Sequence, residues 1–452
     1  MARLVAIGDS LTQGFHSLAV TNTDQSFPAM IARAMGLGVV DFRLPDFKGR
    51  GGLPLSVEWL ARGLEERYGA TMSTFEWIQA LHVIPDLIDD VEDYWERGKG
   101  SRPSADVRYH NLAVWGFEVA DAYDIDAARC VEAIGRPKED WFAPPSQPRF
   151  RTALKVLNPG RTAARATDTQ IGVARAIKEQ EGGIDHLIVW LGANNCLGTV
   201  VELEIRPTAK IPPGPMSGCT LWSPEAFAAE FARLADQIEQ IGARHVYVAT
   251  VPHVTIPPIT RGVMASRGCL PEGERYFDYY TRFFIQDKDF DPRRDKHLTK
   301  KQAIEIDQCI DEYNKVIRAE QSRRGWGLVD MCDVLDRLAV RRNHGAPTYP
   351  IPTELSDLSL RFFEIRPGGG GIKSGGLIGL DGVHPTACGY AIVAQEFIDV
   401  MKANDPTIED IDFGEIRRWD TLVSRPPRTL NDMIGVLATL ERKFHITRWL
   451  RP

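Results

Sequence analysis

Apolar residues are spaced in two ways along this chain. Short runs rich in β-branched residues, Leu4–Ile7, Val107–Leu112, His186–Leu191, His245–Val251 and Gly327–Met331, have the length and composition of buried strands. Elsewhere apolar residues recur every three or four positions, which predicts helices over Ser26–Met35, Thr167–Glu179, Pro224–Ile241, Gln302–Glu320 and Cys388–Met401. The clearest is Pro224–Ile241, where Phe227, Phe231, Leu234, Ile238 and Ile241 fall on one face. Strands alternating with helices of this length predict an α/β fold, a central parallel sheet covered on both faces. In such sheets ligands sit at the carboxyl ends of the strands, so the residues following each strand carry most of the functional information.

Three long segments interrupt the alternation: 36–106, with the acidic helix-like stretch Pro85–Glu96; 254–300, with the aromatic run 274–284; and 340–378, with the glycines Gly368–Gly371. None has a strand–helix series of its own. They read as insertions into one domain, residues 1–405, followed by an extension at 406–452 with a predicted helix over Leu430–Phe444. Ile434, Leu437 and Leu440 suit either a homo-oligomer arm or packing on the core.

Composition narrows the partners. The chain has 452 residues, 43% hydrophobic and 25% charged, ordinary values for a globular protein able to bury a sizeable core. A net charge of −7 leaves no basic excess for nucleic acid. No apolar stretch is long enough for a membrane span, and the opening run Leu4–Ile7 is too short for a signal-peptide core, so the expected compartment is the cytoplasm. Seven scattered cysteines with no Cys-x-x-Cys argue against a disulfide framework or a structural zinc site, and nothing calls for a cofactor or metal.

Four segments could carry chemistry. After the first strand comes Gly8-Asp9-Ser10-Leu11-Thr12-Gln13-Gly14, a serine between glycines that let backbone N–H groups approach a substrate oxygen. Near the other end is Asp381-Gly382-Val383-His384-Pro385, where the carboxylate can hold one imidazole nitrogen and leave the other to accept a proton. Gly192-Ala193-Asn194-Asn195 follows another strand and offers side-chain amides. Asn111-Leu112-Ala113-Val114-Trp115-Gly116 offers a glycine N–H. Taken singly, each reads equally well as loop chemistry: a helix cap, a polar surface loop, an Asn turn, a glycine turn.

Taken together and in order, the four segments resemble the conserved blocks of the SGNH (GDSL) hydrolase family of esterases and lipases: Gly8-Asp9-Ser10-Leu11, Gly116, Gly192-Ala193-Asn194-Asn195, and Asp381 with His384 and Pro385. The resemblance implies a flavodoxin-like α/β/α sandwich. It implies Ser10 as nucleophile, His384 as base and then acid, Asp381 as its orienting carboxylate, and an oxyanion hole made by Ser10 N–H, Gly116 N–H and the Asn194 amide. The family's third block ends in aspartate, and Asn195 stands there instead. No Gly-x-Ser-x-Gly elbow occurs, which argues against a standard α/β-hydrolase.

The expected reaction is hydrolysis of a small-molecule ester (a lipid, thioester or acylated sugar) through an acyl-serine. Only neutral imidazole accepts the serine proton, so activity should rise with pH. An acyltransferase with the same triad and a non-catalytic binder on a decayed SGNH fold are the alternatives. Trp115, Asn195 and His253 are further candidates for substrate contact because each sits beside a predicted strand end or oxyanion residue. The aromatic run 274–284 (Tyr276, Phe277, Tyr279, Tyr280, Phe283, Phe284) reads either as a cover for the cleft or as a helix packing its own insertion.

Overall fold

The computed structural model describes residues 1–69, 74–136, 144–208, 218–266, 270–283, 285, 287–360, 363–365 and 372–428. Its centre is a parallel sheet of four strands, β1 (Ala2–Gly8), β2 (Ile184–Trp190), β3 (His245–Ala249) and β4 (Gly327–Val329), in the order β1-β2-β3-β4. The register pairs Gly8 with Trp190, Val189 with Val248 and Ala249 with Val329, so the strands end nearly level. On the free edge of β1, residues 110–114 run parallel to it: Ala6 N–H donates to His110 O, and Leu112 and Val114 N–H donate to Ala6 and Gly8 carbonyls. That edge segment is the strand predicted at Val107–Leu112, displaced toward Gly116. With it the sheet has the order of a flavodoxin-like fold.

Alternation along the strands divides their side chains between two layers. Val5, Ile7, Leu187, Val189 and Val248 join one core with α2 (Gln170–Glu181), α4 (Pro224–Ile241) and α5 (Lys300–Arg324). Leu4, Ala6, Ile188, Trp190 and Tyr247 join the other with α1 (Phe27–Ala34) and α7 (Ala387–Met401). The helices have local causes as well as apolar faces. Ser223 caps α4 by accepting from Ala226 N–H, Pro224 fits its first turn, and Gly242 ends it in the left-handed region. A reciprocal Thr299–Gln302 capping box starts α5. Two further helices follow strand ends: α3 (Asn194–Glu202) after β2, and α6 (Met331–Leu338) after β4.

The structure completes or corrects the reading of the three inserted segments. The acidic stretch Pro85–Glu96 is the second half of a helix spanning Thr74–Glu96. In the aromatic run, Tyr279–Arg282 is the middle strand of an antiparallel sheet between Thr260–Val263 and His297–Thr299, so neither a helix nor a flexible cover describes it; Phe284 lies outside the described residues. Beyond the glycine run, Ile372–Gly375 pairs antiparallel with Phe363–Ile365. Gly368–Gly371 and the predicted helix Leu430–Phe444 lie outside the described residues. The described part of the extension packs on the core, with Asp420 Oδ2 accepting from Cys388 N–H at the start of α7. Among the described residues, no helix is long and apolar enough to cross a membrane.

Candidate active site

Ser10 opens a single helical turn, Ser10–Gln13, directly after β1. Asp9 caps that turn, its Oδ1 accepting from Leu11 N–H at 3.0 Å. Gly8 allows the tight exit, since a Cβ there would lie 2.2 Å from Thr12 Oγ1 and 2.8 Å from the Trp190 carbonyl oxygen. The hydroxyl therefore stands at the carboxyl edge of the sheet.

The turn before α7 brings the distant partners to it. Asp381 Oδ1 accepts from the N–H groups of Val383 and His384, both at 2.9 Å, which folds the loop back on the carboxylate. Asp381 Oδ2 accepts from His384 Nδ1 at 3.1 Å and from Leu18 N–H at 3.0 Å. His384 Nε2 lies 2.8 Å from Ser10 Oγ. Phe15 packs on the imidazole with ring centroids 4.7 Å apart. The structure thus joins Ser10, His384 and Asp381 in one buried hydrogen-bonded line. Burial alone would raise the Asp381 carboxyl, but the charge and hydrogen bond of His384 and the two backbone donors outweigh it and hold it below the ordinary range.

Asp9 behaves oppositely. Burial pushes its carboxyl up to about 7, against the Leu11 N–H bond and the charge of His384. The folded chain then holds a proton that the unfolded chain releases near 3.8, so stability falls as pH rises from there to about 7. Asp9→Asn keeps an acceptor for Leu11 N–H and removes the ionisation. Its stability relative to the parent is expected to climb between pH about 4 and 7, by a total on the order of 2–4 kcal/mol. Urea unfolding of both proteins at the two ends of that window checks this; an unchanged difference would contradict it.

The other predicted polar groups converge from neighbouring strand ends. Trp115 N–H donates to Gln13 Oε1 at 2.9 Å, tying the 115–116 turn to the Ser10 turn, and Gly116 adopts φ +75°, where a side chain would be strained. Among the described residues, the N–H groups of Ser10 and Gly116 have no partner within the protein. Asn194, the first residue of α3, donates through Nδ2 to the Phe117 carbonyl at 2.9 Å, which sets its amide beside the Gly116 turn.

Trp115 and Asn195 do not line the cavity that opens at Ser10. The Trp115 ring is buried against Phe15, with Nε1 donating to Thr152 Oγ1 at 3.0 Å. Asn195 is fully buried, and its Oδ1 accepts from Val119 N–H at 3.2 Å. An aspartate would make that same acceptor bond, so the amide here keeps the loop contact. His253 does line the cavity. Its ring nitrogens lie 3.0 Å from Asp336 Oδ1 and 3.2 Å from Asp311 Oδ1. Burial disfavours its charge, but Asp336, with Cys332 and Asp307, outweighs that and pushes its pKa up to about 11. His253 is therefore a cation tied to carboxylates, unlike the serine-bonded His384. None of the described residues of the aromatic run lines this cavity; Tyr276 lines a separate, larger hollow on the far side of His253.

Several supporting residues left no readable signal. Gln170 Nε2 donates to both the Gly8 and Leu112 carbonyls at 2.8 Å, clamping the two strand ends that present Ser10 and Gly116. Ser17 and Leu18 sit at φ +52° and +69°, and this uncommon pair delivers the Leu18 N–H to Asp381. Among the described residues no cluster of three or more His, Cys, Asp or Glu could hold a metal, and six cysteines are free thiols. The family model for GDSL-like Lipase/Acylhydrolase matches residues 4–397. No curated protein matches the sequence.

Proposed function

The chain belongs to the GDSL-like lipase/acylhydrolase family, and from that premise we propose that it is a serine-dependent carboxylester hydrolase working through an acyl-Ser10 intermediate. The observation that supports this reading most is the unbroken line Ser10 Oγ–His384 Nε2, 2.8 Å, and His384 Nδ1–Asp381 Oδ2, 3.1 Å. In the proposed reaction Ser10 Oγ attacks the ester carbonyl as His384 Nε2 takes its proton. The oxyanion faces the Ser10 and Gly116 N–H groups and the Asn194 amide. His384 then protonates the departing alcohol, leaving the acyl group on Ser10. Water attacks that ester with His384 again as base, and the acid is released. Asp381 holds the tautomer that keeps Nε2 free and stabilises the imidazolium formed at each step.

An acyltransferase would share the first half of this sequence and use an alcohol in the second. Product analysis separates them. The protein is incubated with p-nitrophenyl butyrate, with and without an added alcohol, and acid and new ester are quantified. Hydrolysis predicts mainly free acid in both cases. Ester as the main product would move the reading to acyl transfer, and no p-nitrophenol release would count against both.

A further inference from the structure

We propose that the acyl half of the substrate is an unbranched aliphatic chain of about four to eight carbons, held in an apolar channel, open along one side, that runs from Ser10 across the sheet edge to α6. The inference rests on the serine-hydrolase reading and adds its substrate class.

The cavity at Ser10 touches the carboxyl end of every strand in turn: Ser10 after β1, Trp190 ending β2, Pro252 after β3 and Met331 after β4. Adjacent strands lie about 4.8 Å apart, so the channel crosses roughly 14 Å from the nucleophile. Its far wall is one face of α6, where Met331, Val334, Leu335 and Leu338 recur at helical spacing. A second wall comes from α7, through Ile392 and Val393.

The lining decides the chemistry of the occupant. Beyond Ser10 and His384, the polar side chains in it are Trp190 and His253. Trp190 Nε1 already donates to the Thr250 carbonyl, and both nitrogens of His253 face carboxylates. A sugar hydroxyl, amide or phosphate entering here would lose its water without gaining a partner, which is costly. An alkyl chain loses nothing and gains burial, each methylene improving binding about fourfold.

Size sets the length. The cavity volume is about 110 Å³. An apolar cavity of about 150 Å³ accepts benzene, six carbons, so roughly four to six carbons fit without displacing a wall. The channel's open side leaves room for a few more. A channel that starts at the nucleophile also suits the acyl half better than the alcohol, because the acyl group stays on Ser10 while the alcohol must leave before water attacks.

The test compares two ester series by kcat/KM: p-nitrophenyl acyl esters from acetyl to palmitoyl, and alkyl acetates of rising alcohol length. The expected result is a rise of about fourfold per methylene from acetyl toward hexanoyl, then a fall by dodecanoyl, with little dependence on the alcohol. Leu338→Trp, at the half-buried far end, should lower the hexanoate-to-acetate ratio at least tenfold, and Leu338→Ala should move the optimum to longer chains. A flat acyl series from a protein that still labels with diisopropyl fluorophosphate would overturn the channel alone, as would dependence on the alcohol instead. Loss of both turnover and labelling in the wild type would overturn the hydrolase reading and the channel with it.

Discussion

Ser10→Ala is expected to lower ester turnover by about 10⁴- to 10⁶-fold, the range for removing the nucleophile of a serine hydrolase triad. The expectation follows from placement. Ser10 Oγ is the group facing His384 Nε2, and it sits between the Gly8 exit of β1 and the 115–116 turn, where backbone donors stand ready for a carbonyl oxygen. Alanine leaves those donors in place, so a small residual rate survives. It should scarcely alter the fold, because the hydroxyl's bond is to His384 and the helical turn is held by Asp9. Urea unfolding is expected to shift by about 1 kcal/mol or less. Turnover within tenfold of wild type would remove Ser10 from the mechanism.

Asp381→Asn should cost about 10⁴-fold in kcat, as loss of the orienting carboxylate does in serine hydrolases of this type. The amide is nearly isosteric and can still accept from Val383 and His384 N–H through one oxygen, so the loop has reason to keep its shape. The remaining position, which now accepts from both His384 Nδ1 and Leu18 N–H, would present an NH₂ group to two donors. The imidazole is then driven toward the tautomer with its proton on Nε2, the wrong nitrogen for taking the serine proton. A second signature separates this from general damage. The Asp381 carboxyl is held below its ordinary value, so it stabilises the wild type above the unfolded carboxyl range and loses that contribution as pH falls through the folded value. Asp381→Asn should lack this part of the acid destabilisation. A variant with normal kcat, or with the same acid slope as wild type, would contradict the assigned position.

Much of the fold was legible because its signals are periodic. The apolar spacing of Pro224–Ile241 returns as α4 with the same ends, and the short runs of β1, β2 and β3 return within a few residues. The edge segment was harder. Its pairing runs through 110–114, so the predicted run Val107–Leu112 covers only the first part of it, and the residues beyond Leu112 lead straight into the turn at Gly116. The run 274–284 was misread for a related reason: dense aromatics fit a helix face and a short strand alike, and only pairing with Thr260–Val263 and His297–Thr299 decides. At the site, Ser10, Asp381 and His384 were legible because block order reaches across the chain. Trp115 and Asn195 were placed near the substrate by position alone, and position does not say which way a side chain points: one packs on Phe15, the other reaches Val119 N–H. The apolar face of α6 and the clamps made by Gln170 and Leu18 depend on tertiary neighbours with no local mark.

The most direct test is to treat the native protein with a fluorophosphonate and locate the adduct by mass spectrometry of the digested chain. The account predicts one stoichiometric adduct on Ser10, absent from Ser10→Ala and slowed in Asp381→Asn. An unlabelled wild type, or an adduct on any other residue, would contradict it.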